Sequence, residues 1–365
     1  MAEEMTSKER FVNALEMQEV DRVPYGHLWF GGGDAILERM GANLKDVYYS
    51  AKGIAEAQML SREMYHHDNV MSPWGCMLVE AQALGTKVNI KDNAYPTIAE
   101  YFLKSSSEYD KINPQDIERS ERIQTVLESI GILKKEIKED AFITGFMLPP
   151  FSLASQLIGM ETMLMDMVMG GEDLHELLQR VTDFCKLYAD RMLEEGVDGI
   201  LFDNGASTTD LLSLEMAEEF MYKYTKEVYE HVQSNGGYVI SHNCALHATY
   251  DLEIAMKPDA LNFSYGEVDI IKEKHGINCA NIHAKSGCSP RYCMKELANS
   301  NVCLMGNIES SVLLNESPTI IEQEVKNCIE AAPEKGFILS TGCEIPLDVP
   351  ADKMEKLWEA IKTHF

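Results

Sequence analysis

The sequence predicts an α/β protein arranged as a (β/α)8 TIM barrel, and three observations carry that expectation. Eight short apolar runs recur along the 365 residues. Most are apolar on consecutive residues rather than alternate ones, the habit of parallel strands buried on both faces. Several segments between them repeat apolar residues every three or four positions, the period of a helix with one buried face. Such barrels take about 250 residues and tolerate insertions, so the length fits a single barrel domain over residues 1–365 with added segments.

The opening predicts a helix. Thr6 and Glu9 have capping-box spacing, and Phe11, Val12 and Leu15 form an apolar face beside Lys8 and Arg10. The strand candidates are Val23–Phe30, Asn69–Trp74, Phe142–Leu148, Gly199–Asp203, Tyr238–His242, Ala260–Ser264, Val302–Asn307 and Phe337–Thr341. The clearest helix runs from Leu214 to Val232. Ser213 can cap its start, and Gly236–Gly237 stop the chain just beyond its end. Two stretches are longer than one crossover needs. The first, about 75–141, is expected to be a helical insertion after the second strand, its second half (Asn113–Asp140) charged and helical in pattern. The other is Ile277–Ser300, a further insertion in which Ile277–His283 also reads as a ninth strand.

Composition excludes several classes. With 45% hydrophobic and 25% charged residues, disorder is not the main state. Lys and Arg number 32 against 59 Asp and Glu, a net charge of −27, which argues against nucleic acid or an anionic membrane surface as a partner. The charged opening, with no apolar core, does not read as a secretory leader. The most apolar stretch, Phe146–Gly171, is broken by Pro149, Pro150, Gly159, Glu161 and Asp166, short of the roughly 20 apolar residues that span a membrane. A cytoplasmic protein is expected. Its nine scattered cysteines then read as buried thiols, metal ligands or nucleophiles rather than a disulfide framework.

In a barrel, chemistry gathers where strands end and the following loops begin. The run Tyr238–Ala245 brings His242 and Cys244 there, two apart and so on one side of an extended chain. Ile338–Pro346 brings Cys343 to the same rim, with Gly342 and Pro346 shaping a sharp loop. Two thiolates and an imidazole suit zinc, and three protein ligands leave one position open, as in catalytic sites. Buried thiols and a satisfied histidine are the plainer reading of the same residues. Glu80, acidic in an apolar neighbourhood, and Asp203, Asn204 and Asn307, at strand exits, are candidate substrate-binding groups; helix caps and solvated faces account for them equally. Gly31–Gly32–Gly33 lacks both the dinucleotide spacing and the Lys-Ser/Thr of a P-loop. The Met160, Met163, Met165, Met167 and Met169 group reads as adaptable packing.

At these residues the chain resembles the uroporphyrinogen decarboxylase superfamily, and within it the zinc-dependent methylcobamide:coenzyme M methyltransferases. Ser7–Leu15 and Asp21-Arg-Val-Pro24 are similar to the superfamily's start. Asp68–Met71, Val79–Gly85, His242-Asn-Cys244, Met305–Ile308 and Thr341–Pro346 are similar to the methyltransferase branch. The resemblance implies that His242, Cys244 and Cys343 bind Zn2+. It also implies that the corrinoid arrives on a partner protein and that the acceptor is a small thiol such as coenzyme M. The decarboxylase branch fits less well. Its Arg-Gln-Ala-Gly-Arg segment, which holds substrate carboxylates, should follow Pro24, and Tyr25–Gly33 stands there instead. Ala245 replaces the usual glycine of His-x-Cys-Gly, and the 277–300 segment looks longer than the family norm. These departures keep open a corrinoid-dependent demethylase that loads cobalt from a methoxylated or methylated small molecule. A non-catalytic barrel is the rival of another class, its structural zinc completed by Glu80 or another Cys.

Overall fold

Seven of the eight apolar runs form strands of one parallel sheet. In the computed structural model, which describes residues 4–74, 78–245, 247–264, 297 and 301–364, nine strands occur in chain order among the described residues. They are β1 (Asn69–Met71), β2 (Lys87–Lys91), β3 (Ala94–Glu100), β4 (Phe142–Met147), β5 (Gly199–Asp203), β6 (Tyr238–Asn243), β7 (Ala260–Phe263), β8 (Cys303–Ile308) and β9 (Phe337–Thr341). The seven-stranded sheet has the order β1-β4-β5-β6-β7-β8-β9, every pairing parallel. Ile143, Ile200, Ile240, Leu261, Leu304 and Leu339 are fully buried in it. Residues on both faces are covered, which is why these strands read as continuous apolar runs. The strands run the same way, so their carboxyl ends share one rim.

Helices cover the sheet as the periodicity predicts. Glu172–Glu195 buries Leu174, Leu177, Leu178, Val181, Cys185, Tyr188 and Met192 along one stripe. The capping box forms: Thr6 Oγ1 accepts from Glu9 N–H, and the Glu9 carboxylate accepts from Thr6 N–H. Ser213 caps Met216 N–H, and helical turns continue to Ser234 with a wider turn over Ala217–Tyr222.

Two expectations change. The stretch from 75 to 141 is not wholly helical: β2 and β3 pair antiparallel in a two-stranded sheet of their own. Exposed Lys87, Asn89 and Lys91 alternate with half-buried Val88 and Ile90, a period-2 signal in the sequence itself. Helix Glu121–Ile137 follows and packs on helices Ala51–Tyr65 and Glu172–Glu195. The segment 277–300, Leu297 apart, lies outside the described residues.

The first apolar run, Val23–Phe30, makes no strand. Pro24 has no N–H to give a ladder, Trp29 adopts φ 62°, and the only strand-type pairing among the described residues is a parallel bridge between Tyr25 and Leu339. The run still reaches both edges of the sheet. Gly26 N–H donates to Leu339 O and Leu339 N–H to Pro24 O on the β9 side; Asp68 N–H donates to Tyr25 O on the β1 side. Asn69 reinforces the second seam, taking His27 N–H and giving its own amide to His27 O.

Asp68 anchors this seam. Its fully buried carboxylate accepts from Tyr25 N–H at 2.7 Å, from Arg10 at 2.9 Å and from both terminal nitrogens of Arg22 at 2.8 Å. Removing it leaves two guanidinium groups, 0% and 7% exposed, without that partner. Asp68→Ala is therefore expected to cost about 3–5 kcal/mol, the penalty for breaking a buried ion pair from one side. Urea unfolding reads this directly, and a loss below about 1 kcal/mol would contradict the assigned role.

Candidate metal and active site

β5 and β6 lie in register with Asp203 beside His242, and β6 and β7 with His242 beside Asn262. His242 is 1% exposed at the carboxyl end of β6, and Cys244 follows it by two residues. Cys343 arrives from the loop after β9. One ligand atom from each of His242, Cys244 and Cys343 lies within 4.8 Å of the others, and these are the one such His/Cys/Asp/Glu group among the described residues.

Backbone packing brings Cys343 in. Gly342 N–H donates to Ile308 O at 2.9 Å, and a Cβ at Gly342 would stand 2.6 Å from Ser264 Cα and 2.7 Å from Phe263 O. Both obstacles are backbone of the β7 exit, so only glycine fits. The glycine run of the first segment has a related task. A Cβ on Gly31 would stand 2.2 Å from Ile345 Cβ, Gly32 N–H donates to Pro346 O, and Asp34 N–H to Leu347 O. These glycines let the chain close against the loop that carries Cys343. The antiparallel hairpin reaches the same loop, where Tyr95 O–H hydrogen-bonds the Glu344 carboxylate.

Asn262, unmarked in the sequence, orients the histidine. Its Nδ2 donates to Met305 O and Thr341 O, both at 3.1 Å. The amide oxygen must then face His242, where it accepts from Nδ1–H. That fixes the imidazole tautomer and leaves the Nε2 lone pair free. His242 Nε2 is buried and makes no hydrogen bond among the described residues. A buried, unpartnered nitrogen beside two sulfurs is what a soft-to-borderline cation would satisfy. Trp29 closes the other side, its ring edge-on to the imidazole at 4.6 Å.

The electrostatics favour one thiolate here. The hydrogen bond from Cys244 draws the Cys343 thiol well below its usual range, burial opposing and the imidazole assisting. The same contact, with burial, pushes Cys244 up. Burial lowers the His242 pKa, but the Cys343 sulfur, the Asp203 charge and the Asn262 oxygen together leave it raised. Cys185, Cys303 and Cys328 differ: burial pushes each thiol up, Cys328 to about 12.

The other candidates are distributed around this centre. Asp203 is half-buried beside it, and its Oδ1 accepts from Gly205 N–H. Asn204 is turned to Tyr229 and Ser241, donating to both. Asn307 accepts from Cys328 Sγ at 3.8 Å, on helix Pro318–Ala331. Glu80 is fully buried and accepts from Leu148 N–H, with Arg122, Tyr188 and Cys185 around it. It is not among the grouped metal-ligand atoms.

The chain belongs to the uroporphyrinogen decarboxylase (URO-D) family, whose pattern it matches over residues 6–364. It is 24% identical to a methylcobamide:CoM methyltransferase (MtbA) of Methanosarcina mazei over 99% of each chain. It is also 24% identical to an MtaA methyltransferase of Methanosarcina barkeri over 97% of each, and to a uroporphyrinogen decarboxylase of Flavobacterium johnsoniae over 79% of this chain and 78% of that one. Among solved structures, a methyltransferase from Methanosarcina mazei superposes with a TM-score of 0.85 at 21% identity, covering 99% of both chains. A B12-independent methionine synthase from Shewanella superposes at 0.52, with 11% identity and 86% and 88% coverage. No helix among the described residues is long and apolar enough to cross a membrane.

Burial raises Glu80 to about 7, with the Leu148 N–H and Arg122 pulling it back. A carboxyl raised on folding stabilises the fold fully below its unfolded pKa, and that contribution is lost as pH climbs through the folded value. Between pH 4.5 and about 7 the Glu80 contribution should therefore decline. Glu80→Gln is expected to flatten that part of the thermal-midpoint profile while keeping the acceptor for Leu148. A wild-type and variant pair with parallel profiles would refute this.

Proposed function

We propose that the chain is a zinc-dependent methyltransferase that moves a methyl group between a corrinoid, held by a separate protein, and a small thiol such as coenzyme M. The carrying observation is the His242–Cys244–Cys343 group with its unpartnered imidazole nitrogen. The two methyltransferase relatives, matched end to end, support the reading. The reading takes Val23–Phe30 as the eighth stave of a closed barrel and treats the chain as one domain.

His242, Cys244 and Cys343 would hold the ion. A zinc ion there would supply Lewis acidity, lowering the pKa of an acceptor thiol. The chain's own residues do the rest. Asn262 holds the imidazole in one tautomer, and Trp29 packs against it in a T-shaped contact. His242 is buried, while Cys244 and Cys343 are half-buried and leave a side through which an acceptor sulfur could approach. Asp203 lies beside the imidazole, where its negative charge favours a bound cation. The acceptor thiolate attacks the methyl carbon in line. The C–S bond forms as the Co–C bond breaks, and the electron pair stays with the corrinoid cobalt of the partner.

His242→Ala and Cys343→Ala are expected to reduce zinc from about one ion per chain to a small fraction, because two ligands do not hold a catalytic zinc. Thiol-dependent loss of the methyl–cobalt spectrum should fall by at least about a hundredfold. Full activity in Cys343→Ala would sink the mechanism. Formation of methyl-cobalt from methylated donors, with no thiol-dependent loss, would reverse the direction to demethylation.

A further inference from the structure

On the face of β6 opposite His242 lies a buried carboxylate with no assigned task. Glu253, in helix Tyr250–Ala255, is 0% exposed. One oxygen accepts from Ser241 Oγ–H at 2.5 Å and the other from Asn243 Nδ2 at 2.6 Å. Ser241 and Asn243 are the two neighbours of His242, and alternation along a strand directs them away from it.

Both neighbours can only donate to Glu253. Ser241 Oγ already accepts from Asn204 Nδ2 at 3.0 Å and from Tyr229 O–H at 3.1 Å, so its lone pairs are occupied and its one proton must leave toward Glu253. Asn243 Oδ1 accepts from Ala245 N–H, which fixes the amide orientation, and Nδ2 divides its two protons between Ser207 O and Glu253. The site therefore requires two acceptors 253 can supply only as Glu. An isosteric Gln presents one donor to a donor. The same bonds reach the second ligand: Asn243 closes the turn onto Ala245, with Cys244 between them, and Tyr250 O–H holds Asn243 O at 3.1 Å.

Resting on the proposed zinc site, we propose that Glu253 is a positioning residue that clamps both neighbours of His242 and so sets where His242 and Cys244 present their ligand atoms. The test is metal competition against a chromogenic chelator, together with the absorption spectrum of the Co2+-substituted protein. Glu253→Gln is expected to weaken zinc retention about tenfold, the low end of the cost of losing a direct outer partner of a metal ligand because Glu253 acts through the ligand's neighbours, and to shift the thiolate–cobalt bands. Ser241→Ala, which removes one of the two bonds and covers the case in which Glu253→Gln fails to fold, should move both readouts the same way by less. Ser129→Ala, which removes an equally buried hydroxyl paired with Ser72 elsewhere, should move neither. Folded Glu253→Gln or Ser241→Ala protein with wild-type retention and spectrum would overturn the inference. A wild type that takes up neither Zn2+ nor Co2+ would instead bring down the zinc reading, and this inference with it.

Discussion

One amide ties the candidate site together. Asn262 stands on β7, accepts a hydrogen bond from His242 on β6 and donates hydrogen bonds to backbone carbonyls on β8 and β9. A buried amide costs free energy unless its hydrogens and oxygen are matched. Three of its partners come from three other strands, so the amide is content only when those strands are in register. Thr341, one of the acceptors, lies two residues before Cys343 and also bonds the Cys343 carbonyl. The register of the sheet and the direction of the two ligand-bearing segments are thus one constraint, not two.

That constraint explains why polar residues cluster on both faces of β6. Inward, His242 is left with a nitrogen that nothing in the described protein satisfies. Outward, Ser241 and Asn243 are saturated by Glu253, Asn204, Tyr229 and Ser207. A fold that satisfies one face so fully and leaves an orphan on the other concentrates its unsatisfied chemistry at one atom. The two sulfurs beside it shift in opposite directions, Cys343 down and Cys244 up, each chiefly through its contact with the other.

Much of this was legible in the sequence. The parallel sheet announced itself through consecutive apolar runs; spacing put His242, Cys244 and Cys343 at two strand exits, but only the family resemblance singled them out as a set. What was not legible has physical reasons. Val23–Phe30 has strand composition, but Pro24 and the left-handed Trp29 make it a seam rather than a strand. The β2–β3 hairpin has a period-2 pattern weakened by its polar, exposed face. Asn262 and Glu253 carried a weaker signal: each is a polar residue inside an apolar segment, and only the partners assembled from distant parts of the chain give it a role. Asn204 and Asn307 show the converse, since strand exits that look like mouth positions can turn their side chains to Tyr229 or Cys328 instead.

The segment after Pro24 also bears on which substrates the rim can accept. A substrate rich in carboxylates needs cations in the cleft, because burying such charges unpaired is costly. Tyr25–Gly33 contains neither Lys nor Arg. It contributes an indole edge to the imidazole and three glycines to the approach of the Cys343 loop. Asp203 and the lowered Cys343 thiol add negative charge to the same space. That arrangement disfavours polycarboxylates, whereas a cation could meet the orphan nitrogen and both sulfurs at once. Along this segment, then, Trp29 and the glycines stand where the rim meets the His242–Cys244–Cys343 group, and no cation of the segment itself is there to pair with an acid.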